Sequence, residues 1–254
     1  MLDLFNLEGK VAIVTGARTG LGQGMAIGLA KAGADIVGVG NKAMDETKKI
    51  VESMGRKFLY IEADLVKQDL INFIVQKTVE TFGKIDILVN NSGIIRRQDV
   101  LEFSDENWDD VINVNLKSAF YLSKAVANQF VKQGHGGKII NVASMLSFQG
   151  GIRVASYTAS KSGIAGLTKL MANELSKYNI NINVNAIAPG YMATNNTEAL
   201  RSDESRSKEI LDRIPAGRWG TPSDLEGAAI YLASKASDYV QAAIIPVDGG
   251  WLAR

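Results

Sequence analysis

Short runs of Val and Ile alternate with longer segments whose apolar residues recur at helical spacing, and this alternation constrains the chain more than any other feature. Residues 11–14, 35–39, 58–61, 85–89 and 138–142 are apolar runs of the kind found in parallel strands buried on both faces. Between them, Leu21, Met25, Ala26 and Leu29 share one helical face. Leu70, Phe73, Ile74 and Lys77 do so less regularly, and Trp108, Val111, Ile112 and Leu116 open a longer helix. Strands separated by helices of this length imply βαβ units, so the expected fold class is α/β with one doubly wound parallel sheet flanked by helices. The alternation continues with a helix over 156–178, a strand over 180–186, a helix from Pro222 and a last strand over 244–247. No Pro/Gly/Ser linker divides the chain, so residues 1–254 are expected to form a single domain. Its longest interruption, 195–218, is polar with short helices near 198–200 and 210–211, and is expected to be a substrate loop over the carboxyl ends of the strands.

Composition removes several chemistries. The net charge of +1 and the lack of like-charged runs leave no field for nucleic acid or an anionic membrane, so neither is expected as a partner. With no Cys and one His, His135, the chain offers no thiol nucleophile and no multi-histidine metal site, and no metal is expected. There is no signal-peptide pattern and no apolar run of roughly 18 residues, so the expected location is cytoplasmic.

Two constellations carry chemistry. Directly after the first apolar run, Thr15-Gly16-Ala17-Arg18-Thr19-Gly20-Leu21-Gly22 opens the first helix. A strand, a glycine-rich turn and a helix amino terminus present backbone N–H groups and a positive dipole end to a pyrophosphate, which is the Rossmann arrangement. Tyr157 and Lys161 lie four residues apart on one helical face, where an ammonium near a phenol would lower its pKa and ready it for proton transfer. Ser144 follows the fifth strand and could bind the same substrate oxygen. Alone, a Tyr and a Lys at this spacing are an ordinary helix surface; other pieces in fixed order change that reading.

Those pieces are Asp64 after the third strand, Asn90-Asn91-Ser92-Gly93 after the fourth, Asn115, Pro189-Gly190 followed by Thr194, and Val247-Asp248-Gly249-Gly250. With the glycine turn and the Ser144, Tyr157 and Lys161 set, the sequence resembles the short-chain dehydrogenase/reductase family along nearly its whole length. The resemblance implies an oxidoreductase acting on a CH–OH group with a nicotinamide cofactor. Gly16, Gly20 and Gly22 would cradle its pyrophosphate with Arg18, Thr19 and Leu21 beside them. Asp64 and Leu65 would flank the adenine, and Asn41, Asn91 and Gly93 would line the ribose side. Ile187, Pro189, Gly190 and Thr194 would position the nicotinamide. Lys161 would hold the nicotinamide ribose, Tyr157 would serve as acid or base, Ser144 would fix the substrate oxygen, and Asn115 would support a water-linked proton relay.

Longer stretches, among them 93–97, 143–153, 189–197, 213–221 and 248–254, are similar to a branch of the family that acts on sugar acids, reducing a 2,5-diketo-3-deoxy acid in uronate breakdown. For such a substrate, Arg96, Arg97, Arg153 and Arg218 are candidate carboxylate partners, with Gln149, Asn195 and Asn196 for hydroxyls and Met145 and Trp219 shaping the pocket. Reductases of 5-ketogluconate or of 3-oxoacyl thioesters are alternatives, as is a nucleotide-sensing scaffold on the same fold. The resemblance also implies a homotetramer built on the helices near 105–130 and 157–177. The cofactor expected from the branch is NAD, with NADP left open, because Gly40 and Asn41 stand where an NAD site usually has an acid, and Arg18 and Lys42 are near. Two departures, an extra Ile-Asn pair within 179–185 and Ala242-Ala243 in place of a Gly-containing segment, are expected to distort the chain locally without loss of the last strand.

Overall fold

The computed structural model describes residues 3–254. In chain order the regular elements are β1 (Val11–Thr15), α1 (Gly20–Lys31), β2 (Asp35–Gly40), α2 (Asp45–Ser53), β3 (Phe58–Glu62), α3 (Gln68–Phe82), β4 (Ile87–Asn90), α4 (Asp105–Ile112), α5 (Ser118–Gln133) and β5 (Lys138–Val142). Then follow α6 (Ala155–Leu175), β6 (Asn183–Pro189), α7 (Glu198–Ser202), α8 (Glu204–Arg213), α9 (Glu226–Ala233) and β7 (Ile244–Val247). The strands form one all-parallel sheet in the order β3-β2-β1-β4-β5-β6-β7. Strand order reverses between β1 and β4, which opens a crevice at the carboxyl ends of those strands.

Side-chain alternation in β1 shows how the sheet is covered twice. Ala12 and Val14 pack with Met25, Leu29 and Leu232 beneath α1 and α9, whereas Val11 and Ile13 pack with Ile74, Leu122 and Phe130 beneath α3 and α5. In α3 the buried residues are Ile71, Ile74 and Thr78 while Phe73 is 45% exposed, so the face against the sheet is rotated from the one expected. The expected long helix from Trp108 is interrupted by a π turn at Asn113–Lys117 that carries the buried Asn115.

The sixth strand begins at Asn183, three residues later than expected, because Asn179 and Asn181 both adopt left-handed backbone (φ 55° and 57°). The Ile-Asn repeat is thus taken up as a turn before the strand. Its later amides join β6 to the segment before β7: Asn183 Nδ2 donates to the Asp238 and Val240 carbonyls, and Asn185 Oδ1 accepts from Ala243 N. β7 pairs with β6 from Ile244 to Val247, so the last strand is retained. The distortion falls on Ala242, held at φ 60° by its N–H bond to the Val184 carbonyl. A left-handed alanine costs roughly 1–2 kcal/mol that glycine largely avoids. Ala242→Gly is therefore expected to stabilise the protein by about 1 kcal/mol in chemical denaturation. An unchanged or lower midpoint would contradict that reading of the turn.

Candidate active site

The turn after β1 is built for a close backbone approach. Gly16 and Gly20 have φ near +67° and +60°, and a Cβ at Gly22 would collide with the Gly16 carbonyl and the Asn91 side-chain amide. Thr19 begins α1 in extended conformation, with no side-chain bond capping the helix. The first-turn N–H groups thus keep their positive end free for a phosphate. Thr15, which ends β1, fixes the turn against β4: its hydroxyl accepts the N–H groups of Asn91 and Ser92, both at 2.9 Å.

From this turn a cleft of about 790 Å³ follows the carboxyl ends of the strands. It is lined by Arg18, Thr19, Gly20 and Leu21 after β1, by Asn41 and Lys42 after β2, and by Asp64 and Leu65 after β3. Asn91 and Gly93 follow from β4, Val142 from β5, Tyr157 and Lys161 from α6, and Thr194, Asn195 and Asn196 from beyond β6. A dinucleotide fits this donor set, with glycines under the pyrophosphate and polar groups along both arms. Gly22 lies beneath the turn. Gly190 instead faces Asp248, and a Cβ there would meet the Asp248 backbone.

Tyr157, Ser144 and Lys161 converge on the floor. Ser144 is buried just after β5, with its side chain beside the Tyr157 phenol. Burial pushes the phenol above its ordinary value, opposed by Ser144 and by the charge of Arg97. The net direction is upward, where the spacing with Lys161 leads us to expect a lowered phenol pKa. The Lys161 Nζ lies 5.6 Å from the Tyr157 ring centroid and donates at 2.6 Å to the Val142 carbonyl, and burial takes its own pKa down to about 8. Desolvation therefore outweighs the neighbouring cation.

Asn115 bonds protein groups at both ends of its side-chain amide. Its Oδ1 accepts Ile94 N–H at 2.8 Å, and its Nδ2 donates to the Ile94 carbonyl and to Ser160 Oγ. Its side chain holds the loop after β4 against α6, and Oδ1 keeps a second lone pair.

Most of the candidate arginines already have anionic partners. Arg96 pairs with Asp110 at 3.0 Å, Arg153 with Asp99 at 3.1 Å, and Arg218 with Asp224 at 2.7 Å. Arg97 has no carboxylate partner among the described residues, donates at 3.2 Å to the Asn196 carbonyl, and is close enough to act on the Tyr157 phenol. It is the guanidinium best placed for a substrate anion. Met145 is packed against Ile210, Ile214 and Trp251, and the Gln149 Oε1 accepts from the Trp251 indole at 3.3 Å. Trp219 packs edge-on to Tyr191. Sequence reasoning placed Thr15 at the start of the glycine turn without giving its hydroxyl a role, and it missed the Val142 carbonyl, for which no sequence signal exists. Among the described residues there is no group of three metal-ligating side chains, and no helix long and apolar enough to cross a membrane.

Comparison with known proteins agrees with this geometry. A family model described as enoyl-(acyl carrier protein) reductase matches residues 16–252. Proteins named 2-dehydro-3-deoxy-D-gluconate 5-dehydrogenase from Dickeya dadantii and from Escherichia coli are each 65% identical over 254 residues, covering 100% of both chains. A crystal structure from Agrobacterium tumefaciens, provisionally assigned as a 2-deoxy-D-gluconate 3-dehydrogenase with bound NADP, superposes with a TM-score of 0.93 at 53% identity. It covers 99% of this chain and 100% of its own. With the glycine turn, the cleft and the Ser144, Tyr157 and Lys161 floor in the same frame, the chain belongs to the short-chain dehydrogenase/reductase family of NAD(P)-dependent oxidoreductases.

Proposed function

We propose that the protein interconverts a secondary hydroxyl and a ketone on a sugar acid, with 2-dehydro-3-deoxy-D-gluconate and its 2,5-diketo oxidation product as the substrate pair. The observation that carries this reading is the 65% identity, over the whole chain, to two relatives of that name. Arg97 supports it, since a guanidinium with no carboxylate partner among the described residues, close enough to act on Tyr157, suits a substrate carboxylate, with Asn195 and Asn196 lining the cleft for hydroxyls.

The nicotinamide cofactor supplies or accepts the hydride. Gly16, Gly20 and the first turn of α1 would hold its pyrophosphate, Asp64 and Leu65 its adenine side, and Lys161 its nicotinamide ribose. Tyr157 remains protonated at neutral pH because its pKa is raised, so it is ready to give a proton to the ketone oxygen in reduction. Ser144 binds that oxygen, and Arg97 orients the acid. At the end of β2 no carboxylate joins Asn41, while Arg18 and Lys42 face the cleft. We therefore infer that NADPH is accepted alongside NADH, and the NADP in the Agrobacterium tumefaciens relative supports this. We assign the enzyme to uronate breakdown in the cytoplasm, where nicotinamide pools turn over. We further infer a homotetramer packed through the helices α4, α5 and α6, on which Trp108 and Leu170 are 41% and 46% exposed.

The reading is tested by initial rates of NADH and NADPH consumption with 2,5-diketo-3-deoxygluconate, 5-ketogluconate and an acetoacetyl thioester. The diketo acid should be turned over fastest and with both cofactors; turnover of the thioester alone would overturn the substrate. Arg97→Ala should raise KM for the acid by roughly 10- to 100-fold with cofactor affinity retained. Tyr157→Phe should bind cofactor yet lose at least about 10²-fold in rate, and persistent turnover would remove Tyr157 as the acid. In wild type, kcat/KM for reduction should hold through neutral pH and fall above about 8 as Lys161 loses its charge, while oxidation, which needs the phenol's proton gone, should rise with pH. Because its folded pKa is lowered, Lys161 weakens the fold below about pH 8 and progressively less as pH rises toward 10.5. Lys161→Met should thus melt at or above the wild-type temperature at pH 7 while inactive; a clear loss of stability would show that the Val142 bond outweighs desolvation.

A further inference from the structure

Trp251, three residues before the last, is 5% exposed and packs with Met145, Ile210 and Ile214. Its indole N–H donates to Gln149 Oε1, the Arg213 guanidinium lies 4.0 Å over its ring, and Tyr191 meets it edge-on at 4.7 Å. The turn bearing Trp251 is itself fixed, because the Asp248 carboxylate accepts the N–H groups of Gly250 and Leu252, each at 2.9 Å. Arg254 in turn reaches the Asp212 carbonyl at 3.1 Å.

The partners of this indole come from the two segments that flank the substrate end of the cleft. Met145 and Gln149 follow Ser144 directly, while Ile210 and Arg213 belong to α8, in the segment whose leading residues Asn195 and Asn196 line the cleft. We propose that Trp251 is a positioning residue for the substrate side of the site. It sets the Ser144 turn and the 195–213 segment relative to one another, and Gln149 acts through Trp251 instead of on the substrate. Nothing in this hub touches the glycine turn or the residues after β2 and β3, so its influence should fall on the sugar acid and spare the cofactor.

The kinetic arm of the test rests on the sugar-acid reading above. Trp251→Phe keeps most of the ring volume but removes the N–H, and Gln149→Leu removes the acceptor. Each should raise KM for 2,5-diketo-3-deoxygluconate by roughly fivefold, with kcat within about twofold and NADPH affinity unchanged, and the double variant should match the single ones. Effects that multiply in the double variant would mean that Gln149 meets the substrate itself, and unchanged KM, or NADPH affinity falling in step, would overturn the positioning role. A second arm needs no substrate: in Trp251→Leu, trypsin should cut faster at Arg201, Arg206 and Lys208 while cutting at Lys48 and Lys77 is unaltered. Equal acceleration at all sites would show global loosening and overturn the proposal. If wild type leaves the diketo acid untouched, the functional reading fails while the proteolysis ratio still decides whether Trp251 holds the segment.

Discussion

The site depends on one buried charge. An ammonium removed from water must find acceptors, and Lys161 finds the carbonyl of Val142, the last residue of β5, at 2.6 Å. That bond ties α6 to the carboxyl end of the sheet at one register. Ser147 Oγ reinforces it by donating to the Lys161 carbonyl at 2.6 Å, and Ser162 Oγ donates to the Leu146 carbonyl at 3.2 Å. The turn that carries Ser144 is therefore laced to the helix that carries Tyr157. One helical turn separates Tyr157 from Lys161, so fixing the lysine places the phenol against the serine.

The same burial moves the two titratable groups in opposite senses. It pushes the Tyr157 phenol up and holds it protonated, and it brings Lys161 down to about 8 so that its charge persists only through the neutral range. An acid kept in its protonated form beside a cation suits ketone reduction at neutral pH. The guanidinium of Arg97 adds the complementary electrostatics: it opposes the upward shift of the phenol and stands without a carboxylate partner among the described residues. Three other arginines, Arg96, Arg153 and Arg218, are neutralised by aspartates.

Much of this was legible in the sequence because it is periodic or local. The Val and Ile runs fix buried parallel strands, and the glycines after β1 mark a turn that only small residues allow. What was not legible depends on contacts between distant segments. The boundary of β6 moved because two asparagines took left-handed backbone, a choice that alternation cannot display. Four arginines look alike as letters, and only the placement of Asp110, Asp99 and Asp224 separates Arg97 from the rest. The bond between the Gln149 oxygen and Trp251, 102 residues away, has no trace in the sequence. The direction of the Tyr157 shift likewise needed the packing, since spacing shows a cation nearby but not how much water both groups lose.

The central claim is that burial, not a neighbouring cation, sets the state of Tyr157, and it is tested most directly by ultraviolet difference titration of phenolate in wild type and Tyr157→Phe without cofactor. The account predicts that the two titrate alike through neutral pH and that wild type shows one additional phenol ionising above 10. A phenolate present in wild type at pH 7 to 8 and missing from the variant would contradict it.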